Sequence, residues 1–215
     1  MRGNIKKMKA DLFEIHRKIF HIVLGMLLTV SVYFSVLKGR MVFTDWIVFV
    51  ILIIGLIISI LSKYIDIPII DSFLKKFERE KHLKKIPGQG VLSIFAALLI
   101  MMLFFENINI NIVLASMMIW TFGDSISALV GKHYGSIRHP LNQKRLLEGT
   151  IAGIIIATLA AWIFVDFWIA VIAACIAMMF ESMELEIFGV GIDDNLLVPI
   201  ISAVVIYGLM IFTTI

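Results

Sequence analysis

A single cysteine stands in the chain, Cys175 within an apolar run, and this excludes an internal disulfide and any cysteine-based metal cluster. Charge is scarce too: Asp, Glu, Lys and Arg make up 16% of the 215 residues, against 60% hydrophobic ones. With a mean hydropathy of +1.01, no water-soluble domain of this length would hide so much apolar surface. The apolar residues come in long uninterrupted runs without two-residue alternation, which excludes a transmembrane barrel and leaves helices. No small-residue cleavage site follows the first apolar run after Met1-Arg2-Gly3-Asn4-Ile5-Lys6-Lys7, so no removable signal peptide is expected.

Seven apolar segments can be drawn, at 19–37, 43–62, 90–105, 110–131, 149–165, 167–185 and 196–215. With the N-terminus inside, seventeen Lys and Arg residues fall on one face and only Lys38 and Arg40 on the other, which satisfies the positive-inside rule with an odd number of spans. The expected fold is an all-α polytopic membrane bundle of about seven transmembrane helices. It forms a single domain over 1–215, with a cytoplasmic N-terminus.

The few ionisable groups then gather at the cytoplasmic face. Asp124 lies in the apolar segment Met117 to Val130, where a charge must be paired, hydrated or bound to an ion. Ser127, Ala128 and Gly131 follow at three, four and seven residues, a smooth seam for a neighbouring helix. Asp124 reads either as a structural acid paired with Lys or Arg, or as a ligand for Mg²⁺, which favours carboxylate plus phosphate oxygens. Lys132, His133, Arg138, His139, Lys144 and Arg145 follow in a loop bearing Gly135 and Pro140. That loop reads as an inside-positive connector or as a phosphate-binding set. It leads to Glu148-Gly149 at a helix start, where backbone donors favour anions; Glu148 is alternatively a first-turn acid complementing the dipole.

Arg17, His21 and Gly25 share a helix face at four-residue steps, and read as interfacial anchors or as a cation and an imidazole aimed into the bundle. His16 is offset from that face and expected at the surface. Ser72 to Lys85 is basic and amphipathic, suited to an anionic leaflet. Ile86-Pro87-Gly88-Gln89-Gly90 is helix-start punctuation or a loop exposing N–H groups to phosphate. Glu181, Glu184, Glu186, Asp193, Asp194 and Asn195 mass near the last connection. Capping the last helix explains one of these acids; the others suggest a metal or a shared proton.

These motifs together resemble the CTP-dependent lipid-alcohol kinases: dolichol and polyprenol kinases, phytol kinase and the CTP-using diacylglycerol kinase, distant relatives of the phosphatidate cytidylyltransferases. Arg17-Lys18-Ile19-Phe20-His21 looks like the family's R-K-x-x-H. Ile86-Pro87-Gly88-Gln89-Gly90 is similar to its I-P-G-x-G. Gly123-Asp124 through Gly131 and Gly135 resembles G-D-x-x-A-x-x-x-G-x-x-x-G. Glu148-Gly149-Thr150 matches E-G-T/S, and Glu181 with Asp193-Asp194-Asn195-Leu196 and Pro199 looks like the closing acid and D-D-N-L-x-x-P. The resemblance runs nearly the whole length. Ser127 stands where the family has Ala, and Leu146 where it has Ser or Thr.

The resemblance implies transfer of a phosphoryl group from CTP to the hydroxyl of a long-chain isoprenoid alcohol, giving a polyprenyl phosphate and CDP. It implies Mg²⁺ on Asp124 with Asp193 or Asp194, and Glu181 nearby. Lys132, Lys144 and Arg145 would hold phosphate oxygens, with Gly131, Gly135, Glu148 and Asn195 completing the nucleotide site. Arg17 and His21, with Asp124, would serve the transferred group and the hydroxyl proton. The expected partners are the lipid alcohol, the nucleotide and membrane lipids, with no nucleic acid. The expected setting is a prokaryotic plasma membrane with the site facing the cytoplasm. Two alternatives use similar residues: a cytidylyltransferase making a CDP-activated lipid, and a membrane transporter, against which stands the absence of a repeated half.

Overall fold

The computed structural model describes residues 2–37, 39, 43–65, 68–78, 86–183, 186–187 and 190–213, and the side chains within these from residue 11 except at a few positions. Lys38, Arg40, Arg79, Lys81, Lys84, Lys85 and Glu184 lie outside the described residues, as does the side chain of Glu186. The protein is all-helical in architecture. The helices are α1 (Arg2–Leu37), α2 (Asp45–Leu61), α3 (Pro68–Phe77), α4 (Gln89–Phe105), α5 (Ile110–Met118), α6 (Ser125–Tyr134), α7 (Leu147–Ala161), α8 (Phe167–Ser182) and α9 (Asp194–Thr213). Two short antiparallel hairpins interrupt them: β1 (Arg138–His139) with β2 (Asn142–Leu146), and β3 (Glu186–Ile187) with β4 (Val190–Gly191). The first replaces the irregular loop expected after Lys132.

Helix α5 runs into α6 through a π-helical segment, Ile119–Asp124, making one continuous rod. The other helices pack around this rod: α1, α4, α7, α8 and α9 all touch it, while α2 lies outside on α4 and α3 on α1. The rod is correspondingly dry, with Ile112 to Trp120 almost wholly buried. Three helical stretches, Asp11–Leu37, Ile110–Tyr134 and Asp194–Thr213, are long and apolar enough to cross a membrane. Four shorter ones, α2, α4, α7 and α8, are also apolar.

Two features suit an apolar surround. Large hydrophobic side chains face outward in rows, such as Val23, Leu27, Val30 and Phe34 on α1 and Val50, Ile54 and Ile57 on α2. Hydroxyls within the helices bond back to their own backbone: Thr29 donates to the Gly25 carbonyl, Ser116 to Ile112, Thr121 to Met117 and Ser202 to Val198. Such local bonds satisfy these four hydroxyls where water is absent; among the described residues the buried Ser125 hydroxyl has no partner.

Glycines set the closest helix contacts. A β-carbon on Gly149 of α7 would sit 2.3 Å from the Ser127 carbonyl and 2.8 Å from Gly131 Cα, and one on Gly25 would collide with Thr121. The seam expected at Ser127 and Gly131 is therefore the α6–α7 contact, with Gly149 and Gly153 on its other side.

Candidate active site

The π segment ends at Asp124, and such insertions of an extra residue per turn recur at functional sites because they re-aim side chains. Asp124 is only 6% exposed. Lys18 of α1, 1% exposed, donates from Nζ to Asp124 Oδ2 at 2.7 Å and to the carbonyl of the same residue at 3.0 Å. His21 Nδ1 lies 3.4 Å from the same carboxylate oxygen. The His21 ring rests on Trp120, centroids 4.0 Å apart, and Trp120 donates its indole N–H to Asn195 Oδ1 at 3.0 Å. His21 Nε2 is buried and has no hydrogen-bond partner. Lys18, His21, Asp124, Trp120 and Asn195 thus join α1, the rod and α9 in one connected group.

A second polar group stands beside it. Arg145, at the end of β2, donates from Nη2 to Asp194 Oδ2 at 3.0 Å and from Nη1 to Oε1 of Glu181, whose side chain is fully buried. The planar guanidinium suits this task, since one fork can serve two carboxylates on two helices. Asp193 caps α9 by accepting the Asn195 N–H at 2.9 Å, as expected for one acid of that cluster. Its other oxygen, Oδ2, is buried without a partner, as is Glu181 Oε2.

Both groups border one cavity of about 860 Å³, within the range of a small-molecule site. Of the residues expected in the site, Arg17, His21, Asp124, Gly131, Lys132, Lys144, Arg145, Asp193, Asp194 and Asn195 line it. Glu148, Gly135 and Glu181 do not. The Glu148 carboxylate instead accepts the backbone N–H groups of Ser136 and Ile137, at 2.8 and 3.0 Å, and so pins the turn before β1. Gly135 provides room: a β-carbon there would lie 2.6 Å from Leu146. His16 is exposed, as expected. Arg17 pairs with Glu14 on its own helix, and Lys132 with Asp11 at 2.9 Å.

Gly88, Gln89 and Gly90, at the start of α4, also line the cavity. Gly88 takes a left-handed φ of +79°, which glycine adopts without strain. Its N–H donates to Glu78 Oε2 at 2.6 Å. Burial pushes the Glu78 carboxyl above its ordinary range, against the pull of the Gly88, Gln89 and Gly90 N–H groups. The anion seat that the loop's glycines suggested is thus taken by a carboxylate of the same chain. Gly90 lets Asn195 approach, its Nδ2 lying 3.1 Å from where a β-carbon would be.

The motif resemblance includes Lys18 without giving it a chemical role, and gives none to Trp120 or Glu78. The signal for Lys18 was its spacing, three residues before His21 and seven before Gly25, which places all three on one helical stripe. Nothing local marked Glu78.

A divalent cation that arrives with nucleotide phosphates needs only one or two protein carboxylates. The unpartnered Asp193 Oδ2 and the adjacent Asp194 fit that demand. Among the described residues no group of three or more His, Cys, Asp or Glu side chains is arranged to hold a metal by itself. Of the expected ligands, Asp124 is paired with Lys18, and Arg145 ties Asp194 to Glu181.

The chain is similar to an uncharacterized protein, MJ1137, of Methanocaldococcus jannaschii. The two are 29% identical over 196 residues, covering 90% of this chain and 92% of that one. No protein-family model and no solved structure matches the chain.

Proposed function

We propose that the protein is a membrane phosphotransferase that moves the terminal phosphoryl group of CTP to the hydroxyl of a long-chain isoprenoid alcohol. The observation that carries this reading is the cavity, where a buried carboxylate–lysine–histidine group faces basic residues and orphaned acids. Phosphoryl transfer is largely a matter of alignment and charge neutralisation, and this cavity is built to supply both. Lys132, Lys144 and Arg145 neutralise phosphate oxygens. Asp193 and Asp194, with Asp124 behind them, would hold Mg²⁺, which supplies neutralisation of the nucleotide's phosphates when bound. Asp124 and Trp120 orient His21, whose unpartnered Nε2 suits a hydrogen bond to the acceptor hydroxyl. Lys18 holds Asp124 in place and keeps its charge compensated.

In this reading all seven apolar helical regions span the bilayer. The shorter ones, at ~1.5 Å rise per residue, meet its thickness together with their flanking residues. In this reading the cavity faces the cytoplasm of a prokaryotic plasma membrane; the positive-inside bias of the Lys and Arg residues supports the orientation. The choice of CTP and of an isoprenoid acceptor comes from the motif resemblance.

The test is to incubate purified protein with labelled CTP or ATP, Mg²⁺ and a panel of lipid alcohols. Formation of a lipid phosphate with release of the nucleoside diphosphate is expected. Pyrophosphate release with a phosphatidic acid would instead show nucleotidyl transfer. Nucleotide-independent flux in liposomes, without any phosphorylated product, would overturn the enzyme reading.

A further inference from the structure

The cavity has two chemically different walls. Beside the acids and bases, Phe20 and Leu24 of α1 and Leu74 and Phe77 of α3 make an apolar part of the lining. The rings of Phe20 and Phe77 meet across the two helices with centroids 4.8 Å apart. Leu74 is buried while Ser72 and Lys76 on the same short helix are exposed, so α3 turns its apolar side to α1 and its polar side away. Phosphate oxygens gain nothing from such a wall.

Contacts between α1 and the rod give the cavity a direction, because the two run antiparallel. Asp11 pairs with Lys132, Lys18 with Asp124, and Gly25 lies against Thr121. Each step is about 10 Å along α1. Lys132 marks the charged end; Leu24, adjacent to Gly25, lies roughly 20 Å away along the helix axis. Along α1 the wall begins at Phe20, level with His21, and Leu24 carries it about one turn further from Lys132.

Resting on the phosphotransferase reading, we infer that the cleft between α1 and α3 receives the hydrocarbon chain of the lipid alcohol, seated on Phe20, Leu24, Leu74 and Phe77. The chain's hydroxyl end then stops at His21 and Asp124, where the apolar wall meets the polar one. A nucleotide base is the less suitable occupant. The Leu24 end of the wall lies away from Lys132, and a base carried there would leave its polar edge without the partners it had in water.

The test compares Phe77→Ala and Leu74→Ala with the parent protein in lipid nanodiscs, using a long-chain and a short-chain prenyl alcohol. For the long-chain substrate kcat/KM should fall about tenfold or more, as loss of a large apolar contact requires, with nucleotide KM unchanged. A raised nucleotide KM at unchanged lipid KM overturns the inference and gives the ring pair to the base. Should the parent transfer no phosphoryl group, a long-chain alcohol bearing a diazirine still tests the cleft. Photolysis is expected to label the α1 and α3 peptides carrying these residues, in competition with unlabelled long-chain alcohol. Label spread over outward-facing Val23, Leu27 and Ile54, and indifferent to competitor, overturns the cleft whatever the reaction is.

Discussion

Lys18 and Asp124 form a buried ion pair across 106 residues of sequence, and the same ammonium also satisfies the Asp124 carbonyl. One cation therefore compensates both the charge and a backbone acceptor of the residue on which the π segment ends. Removing either partner leaves a largely buried charge without its counter-charge, whereas removing both removes the mismatch.

Lys18→Met should accordingly destabilise the protein by about 3–5 kcal/mol. Combining it with Asp124→Leu should recover much of the loss. Denaturant unfolding in detergent, run as a double-mutant cycle, measures the coupling; additive effects would show that the pair is not formed.

Asp124→Asn retains shape and removes the charge that orients His21. Phosphoryl transfer should be lost while the protein still accumulates in the membrane. Retention of full turnover by this variant would remove Asp124 from the site.

The α6–α7 contact should be intolerant of a single methyl group. Gly149→Ala would press its β-carbon onto the backbone of Ser127 and Gly131, and should cost about 1–3 kcal/mol or more. Gly208→Ala, where nothing lies within 4 Å of the added carbon, should be neutral or stabilising by up to ~1 kcal/mol. Equal melting temperatures for the two variants would contradict the packing.

Glu78 should make stability depend on pH. Its folded-state pKa is raised above the ordinary 4.5 by burial, so the native protein binds the proton more tightly than the unfolded chain. Stability should then be greatest below that ordinary value and decline as pH rises through the window just above it, levelling beyond the folded pKa. Comparing melting temperatures of the parent and Glu78→Gln across this window isolates the effect, since the variant should lack that decline.

Arg145→Lys should behave as a severe change. A lysine carries the charge without the fork that reaches both Glu181 and Asp194. Nucleotide KM should rise by about tenfold or more, the loss of one charge-assisted contact, and the variant should melt lower than the parent. An unchanged KM would mean that Arg145 is purely a structural clasp.

Apolar run lengths alone show that the chain is helical and where its apolar helices run. Seven drawn segments coincide with α1, α2, α4, the α5–α6 rod, α7, α8 and α9, because long apolar runs report burial and helical geometry locally. The sequence also marked Asp124, His21, Arg145 and the Asp193–Asn195 turn, since polar groups in an apolar chain are costly and so conspicuous. What each polar group touches was decided only by tertiary structure. Lys18 reads in sequence as one more inside-facing base and Glu148 as a nucleotide ligand or a first-turn acid, while Glu78 carries no local mark. Their partners are fixed by how helices distant in sequence dock, with Gly25 against Thr121 and Gly149 against Ser127 setting the register. A ladder of contacts between antiparallel helices places Lys18 beside Asp124, and no local pattern carries that distance.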